Sequence, residues 1–231
     1  MAAVDRYLTL ITSLPAHGTL FGAKQTPLSR IRLRQRLQLL EPEDTEDLTK
    51  LGVLTDWYRL GMDDDDEAIL RRARQLVPAM ASPFVRDLAT WRLELRTVTA
   101  ALRRRHAGLG PPTHSRNWGF GRWVPHIIRY WGEPQLRLER AFPWLPEASR
   151  CLEAEDALGL ERLLLSAVWD HLKRISEGHH FDFEAVVVYC VRWDLVARWT
   201  GYDGDAALAR FDELTEAALA PLEALRADLA A

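Results

Sequence analysis

Four of the six residues from His179 to Glu184 carry side chains that ligate metals: His179, His180, Asp182 and Glu184. Imidazole and carboxylate together suit zinc, which needs three or four converging ligands. Adjacent histidines point apart, however. Asp182 stands just before an apolar helical pattern, where an aspartate caps the first turn. The spacing therefore reads as a helix start, and no metal site is assigned. The run Asp63 to Asp66 gathers carboxylates but lacks the alternating spacing and distal glutamate of a calcium loop. It reads as an acidic cap for a helix over Glu67 to Val77. Cys151 and Cys190 are the only thiols. Each could serve as a nucleophile with a distant histidine, but Cys190 lies among Val187, Val188 and Val191 and reads as a small buried apolar group. His171 falls on an apolar helix face and reads as a core or boundary histidine. No Gly-x-Ser-x-Gly elbow, His-Glu-x-x-His, Walker loop or Cys-x-x-Cys is present. The chain is read as a non-enzyme with no catalytic residue, cofactor or metal.

Charge offers a different chemistry. The net charge of −3 excludes a globally basic nucleic-acid binder. Acids dominate from Glu41 to Glu67 and again after Gly201, and bases dominate from Arg103 to Arg150. Such runs are usually solvated helix faces. The sharper reading is an electropositive surface for an acidic protein partner, made by Arg103, Arg104, Arg105, Arg116, Arg122 and Arg129. One helix end needs only one or two cations for its dipole, and this end is followed by more than that.

The element that positions these arginines runs from Ser82 to Gly108. Ser82 suits an N-cap and Pro83 the first turn. Phe84, Leu88, Trp91, Leu95, Val98 and Leu102 then recur at spacings of four and three, an apolar seam along one helix. Gly108 stops it. Elsewhere, Thr26-Pro27 opens a helix to Leu40, and Pro42 opens another that Gly61 ends. Leu160 to Ile175 forms a core face, and Asp182 caps a helix that Gly201 ends. Asp203 or Asp205 opens a last helix carrying Leu208, Phe211 and Leu214. Asp5 to Leu14 reads as an extended arm or a short first helix. The fold class is all-α, about eight to ten helices in a single domain over 1–231, with a candidate hinge loop over 108–121 (GLGPPTHSRNWGFG). No apolar run reaches about 18 residues, so no membrane span is expected. The first residues lack a basic n-region, so no signal peptide is expected, and the two cysteines fit a reducing cytoplasm.

Two stretches resemble a known family. FVRDLATWRLELRTVTAALRRRHAG, Phe84 to Gly108, is similar to the long helix of the C-subunit family of V-type and A-type rotary ATPases. There an acid, two residues and Asn precede Leu-Arg and a basic tail. Here Glu94 takes the acid position, Thr97 stands where Asn is usual, Leu102-Arg103 follows, and Arg104 and Arg105 form the tail. FDFEAVVVYCVRWDLVARWTGYDGDAALARFDEL, within Glu153 to Leu214, resembles the C-terminal part of a bacterial family encoded beside the genes of V-type ATPases, in the place of their C-subunit gene. Phe183, Glu184, Ala185, Val186, Tyr189, Leu195, Arg198-Trp199 and Asp203-Gly204 carry that likeness. The start from Tyr7 to Pro15 is also similar.

The resemblance implies an all-helical, non-catalytic adaptor in an ion-translocating (proton or sodium) motor. It would seat the central shaft on the membrane rotor ring. Its partners would be the central-shaft and rotor-ring components, with no nucleic acid. Its location would be cytoplasmic, on the inner face of the membrane through those partners. The alternatives are a stand-alone helical interaction or regulatory module and, behind it, a metal- or cysteine-dependent enzyme.

Overall fold

A computed structural model describes residues 6–55, 66–112 and 118–201. Among these residues there are nine helices and no strand, and helix, 3-10 turns included, makes up 68% of them. In chain order they are α1 (Leu8–Ser13), α2 (Arg30–Leu37), α3 (Pro42–Thr55), α4 (Asp66–Leu76), α5 (Pro83–His106), α6 (Val124–Arg129), α7 (Leu145–Glu153), α8 (Ala157–Ile175) and α9 (183–201). Short 3-10 turns lie at Leu20–Gly22 and Pro134–Arg137. The all-α class read from the sequence holds. Tyr58, Asp63, the middle of the 108–121 loop and the helix expected after Asp203 lie outside the described residues.

α5 is the axis of the fold. Ser82 Oγ accepts from Val85 N at 3.4 Å, Pro83 occupies the first turn, and Gly108 takes φ +70° just beyond the last turn. The expected seam is present, with Leu88, Leu95, Val98 and Leu102 buried and Phe84 and Trp91 packed at its margin. Burial extends well beyond the seam. Val85, Ala89, Leu93 and Ala101 are buried, and so are the polar Arg92, Glu94, Thr97 and Thr99. A helix buried on several faces must be enclosed by others. α3, α6 and α7 pack on α5, and α8 reaches it where Trp91 stacks on His171 at 3.6 Å between ring centroids.

The start of α5 is fixed by a buried carboxylate that sequence gives no reason to single out. Asp47 on α3 accepts from Ala81 N at 3.1 Å and from Ser82 N at 2.7 Å, and Lys50 Nζ lies 3.5 Å from it. Buried charge persists only when its lone pairs are met, and here loop N–H groups meet them. Tyr7 works similarly for the N-terminal residues. Its N–H donates to Phe181 O at 2.8 Å, its hydroxyl donates to the Asp44 carboxylate, and it accepts from Glu41 N at 3.1 Å. Burial first, then the Asp44 bond, pushes the phenol up to about 12.

One boundary, the start of α2, differs from the sequence reading. The N-terminal stretch takes the short-helix form, α1. α2 starts after Ser29, whose side chain accepts from Arg32 N, and not at Pro27. The reason is tertiary: Leu28 is buried, and its carbonyl accepts from Trp193 Nε1 at 2.8 Å on α9. α9 is described as far as Gly201, the residue at which the sequence places its end.

Leu95 is 1% exposed in the middle of α5. Leu95→Asp removes its apolar contacts and leaves a carboxylate with no donor. It is expected to cost more than about 3 kcal/mol. Urea denaturation followed by circular dichroism checks this, and a wild-type midpoint would show that α5 is misplaced.

Candidate functional site

The resemblance motif on α5 has a clear local task. Glu94 and Thr97 are one helical turn apart and project to the same side. Both are buried. Glu94 Oε1 accepts from Arg122 N at 2.9 Å. Thr97 Oγ1 accepts from Phe120 N at 2.8 Å and lies 2.9 Å from Leu93 O and 3.2 Å from Phe120 O. The pair therefore fastens the segment 118–122 onto α5. Gly119 and Gly121 have φ +72° and +92°, and a Cβ at Gly121 would collide with the Glu94 side chain. The far end of the expected hinge loop is thus bolted to the central helix.

This clamp sets the register of the arginines. α6 follows directly and runs beside α5, so that Arg122 sits by Glu94 while Glu133 sits by Arg105. Eleven positions along α5 separate those contacts, about 16 Å. Arg122 is exposed, lies 3.9 Å from Glu94 Oε1 and stacks over Trp123 at 4.9 Å. Arg129 is exposed and lies over Tyr130 at 5.5 Å. Arg137, which the sequence reading passed over, lies over the same ring at 5.0 Å and pairs with Glu133 at 3.1 Å. Arg105 donates to the Glu133 carbonyl, and Arg104 Nε donates to Gly110 O at 2.8 Å. Arg103 is exposed. Arg116 lies outside the described residues. The five described arginines therefore differ in what they contact. Arg103, Arg122 and Arg129 present charge to solvent, and Arg104 and Arg105 are partly spent on carbonyls near the helix end.

Beside Arg105 is a cleft of about 350 Å³ between the end of α5, the turn after Glu133 and α7. Arg105, His106, Gln135, Ser149 and Glu153 line it. Its polar wall includes a backbone oddity: Gln135, Leu136 and Arg137 all have positive φ, 44°, 56° and 54°. L-residues pay sterically for that conformation. Leu136 is fully buried there, and its carbonyl is 3.1 Å from His126 Nε2.

The ligand-bearing residues named from sequence fall as follows. His179, Asp182 and Glu184 do bring one ligand atom each to within 4.8 Å of one another. Asp182 is otherwise engaged: Oδ1 accepts from Ala185 N at 3.0 Å, capping α9, and Oδ2 lies 2.7 Å from His179 Nδ1. His180 does not join that group. Cys151 and Cys190 are buried and free, and burial pushes both thiols up, away from the nucleophilic thiolate. His171 is pulled down to about 4, first by burial and then by Arg174 and Arg92. His17 is also pulled down to about 4 by burial, against its contact with the Tyr189 carbonyl. Arg92, 7% exposed, is lowered to about 10 by burial and by Arg198, while Asp194 acts the other way.

Comparison with family models, curated proteins and solved structures returns no match for this chain.

The sequence places a helix here but does not single out its charge: Arg30, Arg32, Arg34 and Arg36 fall within the eight residues of α2. The signal was available as RIRLRQRL.

The buried groups lead to two predictions. Between about pH 4 and the ordinary 6.5, the unfolded chain binds protons at His17 and His171 that the folded chain does not. Stability therefore falls as pH drops through that window and is fully restored above it. His171→Phe, which keeps the ring on Trp91, should flatten the dependence of Tm on pH between 4 and 6.5. Second, zinc should not bind stoichiometrically, because Asp182 is committed to the α9 cap. Elemental analysis of protein purified with zinc present checks this, and Asp182→Ala should cost about 1 kcal/mol through loss of the cap.

Proposed function

We propose that this protein is a non-catalytic adaptor of a bacterial V-type rotary ATPase, similar to the C-subunit family, that seats the central shaft on the membrane rotor ring. The supporting observation is how the resembling stretches lie in the fold. They are far apart in sequence, yet they pack together: α5 meets α8 through Trp91 and His171, and the charge on Asp194 of α9 bears on Arg92 of α5. A likeness spread over one packed unit is what kinship at the level of a fold requires. The Glu94 and Thr97 positions of the motif also have a shared physical purpose, since both hold the loop that starts α6.

An adaptor under torque needs broad surfaces and charge complementarity more than a reactive pocket. The exposed Arg103, Arg122 and Arg129 offer positive charge to an acidic surface of the shaft or ring. These are rim charges, so their role is in steering and register. The protein would lie on the cytoplasmic side of the membrane and reach it through its partners. No helix among the described residues is long and apolar enough to cross a membrane.

The test is assembly with the purified shaft and ring proteins. Arg103→Glu combined with Arg129→Glu changes exposed side chains and should leave Tm unchanged. Association should slow by about tenfold at low salt, with a smaller difference at moderate salt. Undiminished assembly at both would remove these arginines from the docking surface. Failure of the wild-type chain to copurify with ATPase components from its native host would remove the adaptor role.

A further inference from the structure

Three helices converge on a groove that none of Arg103, Arg122 and Arg129 lines. α2 lines it with Arg30, Leu33, Arg34 and Leu37, and α3 lines it with Leu48, Leu51, Gly52 and Thr55. Both sets have the i, i+3, i+4, i+7 spacing of one helix face. α9 closes the floor between them. The space is about 160 Å³. A cavity of about 150 Å³ with apolar walls accepts a benzene-sized group, so an aliphatic or aromatic side chain fits.

The charge around this floor is one-sided. Among the described residues, none of Arg30, Arg32, Arg34 and Arg36 makes an ion pair with an acid. Arg30 is held over Trp193 at 5.5 Å, and Arg34 is exposed at the groove. Among the described residues the one carboxylate lining the groove is Asp194, which already acts on the buried Arg92. Ile31 is 71% exposed beside them. Gly52 adds an independent observation. It sits inside α3, where glycine costs helix stability, and a Cβ there would meet nothing within 4 Å. Packing does not demand that glycine, and any larger residue would project into the groove.

We propose that this groove docks an acidic amphipathic helix of a protein partner. One apolar side chain of that helix would enter between Leu33, Leu37, Leu48 and Leu51, and its acids would face Arg30 and Arg34. This is the helix-in-groove mode, with anchors at the same three- and four-residue spacing. A concave aliphatic floor suits a side chain better than a flat lipid surface. Among the described residues the groove carries no exposed aromatic platform of the kind that holds single-stranded nucleic acid. The inference stands apart from the rotary-motor reading, since it concerns a different surface and any partner with this chemistry.

The probe is a fluorescein-labelled synthetic peptide of about 14 residues, long enough for four turns, with Leu at i, i+3, i+4 and i+7 and Glu and Ala elsewhere. Its binding to the intact chain is read by anisotropy against a scrambled peptide of the same composition. The peptide is expected to bind in the micromolar range, at least about tenfold tighter than its scramble, and more weakly as salt rises. Arg30→Glu with Arg34→Glu should weaken binding by at least about tenfold. Gly52→Trp should do the same while Tm stays level or rises, and Gly52→Ala should raise Tm by a few degrees. No binding at about 1 mM, equal binding of the scramble, or unchanged binding in both variants overturns the proposal. So does tighter binding to phosphatidylglycerol vesicles than to the peptide. A concentration-dependent dimer that the Arg30 and Arg34 changes abolish would also overturn it, giving the groove to a second copy.

Discussion

A carboxylate removed from water must find donors, and in this protein loop backbone supplies them. Asp47 receives the two N–H groups just before α5, and Glu94 receives one from the loop beyond it. Both acids are nearly inaccessible. Charge-assisted bonds of this kind are short and directional, so each fixes a loop to a helix face within narrow limits. The start of α5 is thereby tied to α3, and the middle of α5 to the start of α6. Without these ties α5 would still have an apolar seam, but the chain on either side would have no fixed place along it.

The same economy governs the arginines. The chain is slightly acidic overall, yet its bases are concentrated on a few elements. At the end of α5 part of that charge is used internally, because unsatisfied carbonyls there attract cations. Arg104 and Arg105 bend back to carbonyl oxygens, and Arg137 is neutralised by Glu133. On α2 no such partner is present among the described acids. A run of arginines in sequence therefore carries little information about a surface until their partners are known. That is why the basic tail of α5 reads as a binding face from sequence and proves half structural, whereas α2 reads as an ordinary helix and is the barer surface.

Much of the architecture was legible. Ser82, Pro83 and Gly108 bound α5 because caps are local events, and Asp182 likewise announces α9. Leu88, Leu95, Val98 and Leu102 declare the buried side through periodicity alone. What could not be read depends on pairs distant in the chain. Trp193 takes the carbonyl of Leu28 and so delays α2. Asp47 sits in an acidic run and looks solvated, but it is buried because residues 81 and 82 come to it. The Glu94 and Thr97 positions were noticed as a motif, while their loop partners, 23 to 28 residues away, were not. Periodicity and caps are local and can be read along the chain, whereas the identity of a long-range donor cannot.

The turn at Gln135 to Arg137 joins these themes. Successive left-handed residues cost about 1–2 kcal/mol each for side chains with a Cβ. They are kept because Leu136 is driven fully into the core and its carbonyl meets His126. Burying a leucine contributes about 1.5–3 kcal/mol, and the polar contact adds to it. With Leu136 anchored inward, its neighbours must turn outward on a tight left-handed arc. Glu133 is then left with its carbonyl toward Arg105 and its carboxylate toward Arg137. A buried leucine thus decides where two surface arginines stand. The path runs from core packing to backbone conformation to surface charge, so a substitution at position 136 would displace the partners of Arg105 and Arg137 without altering either arginine.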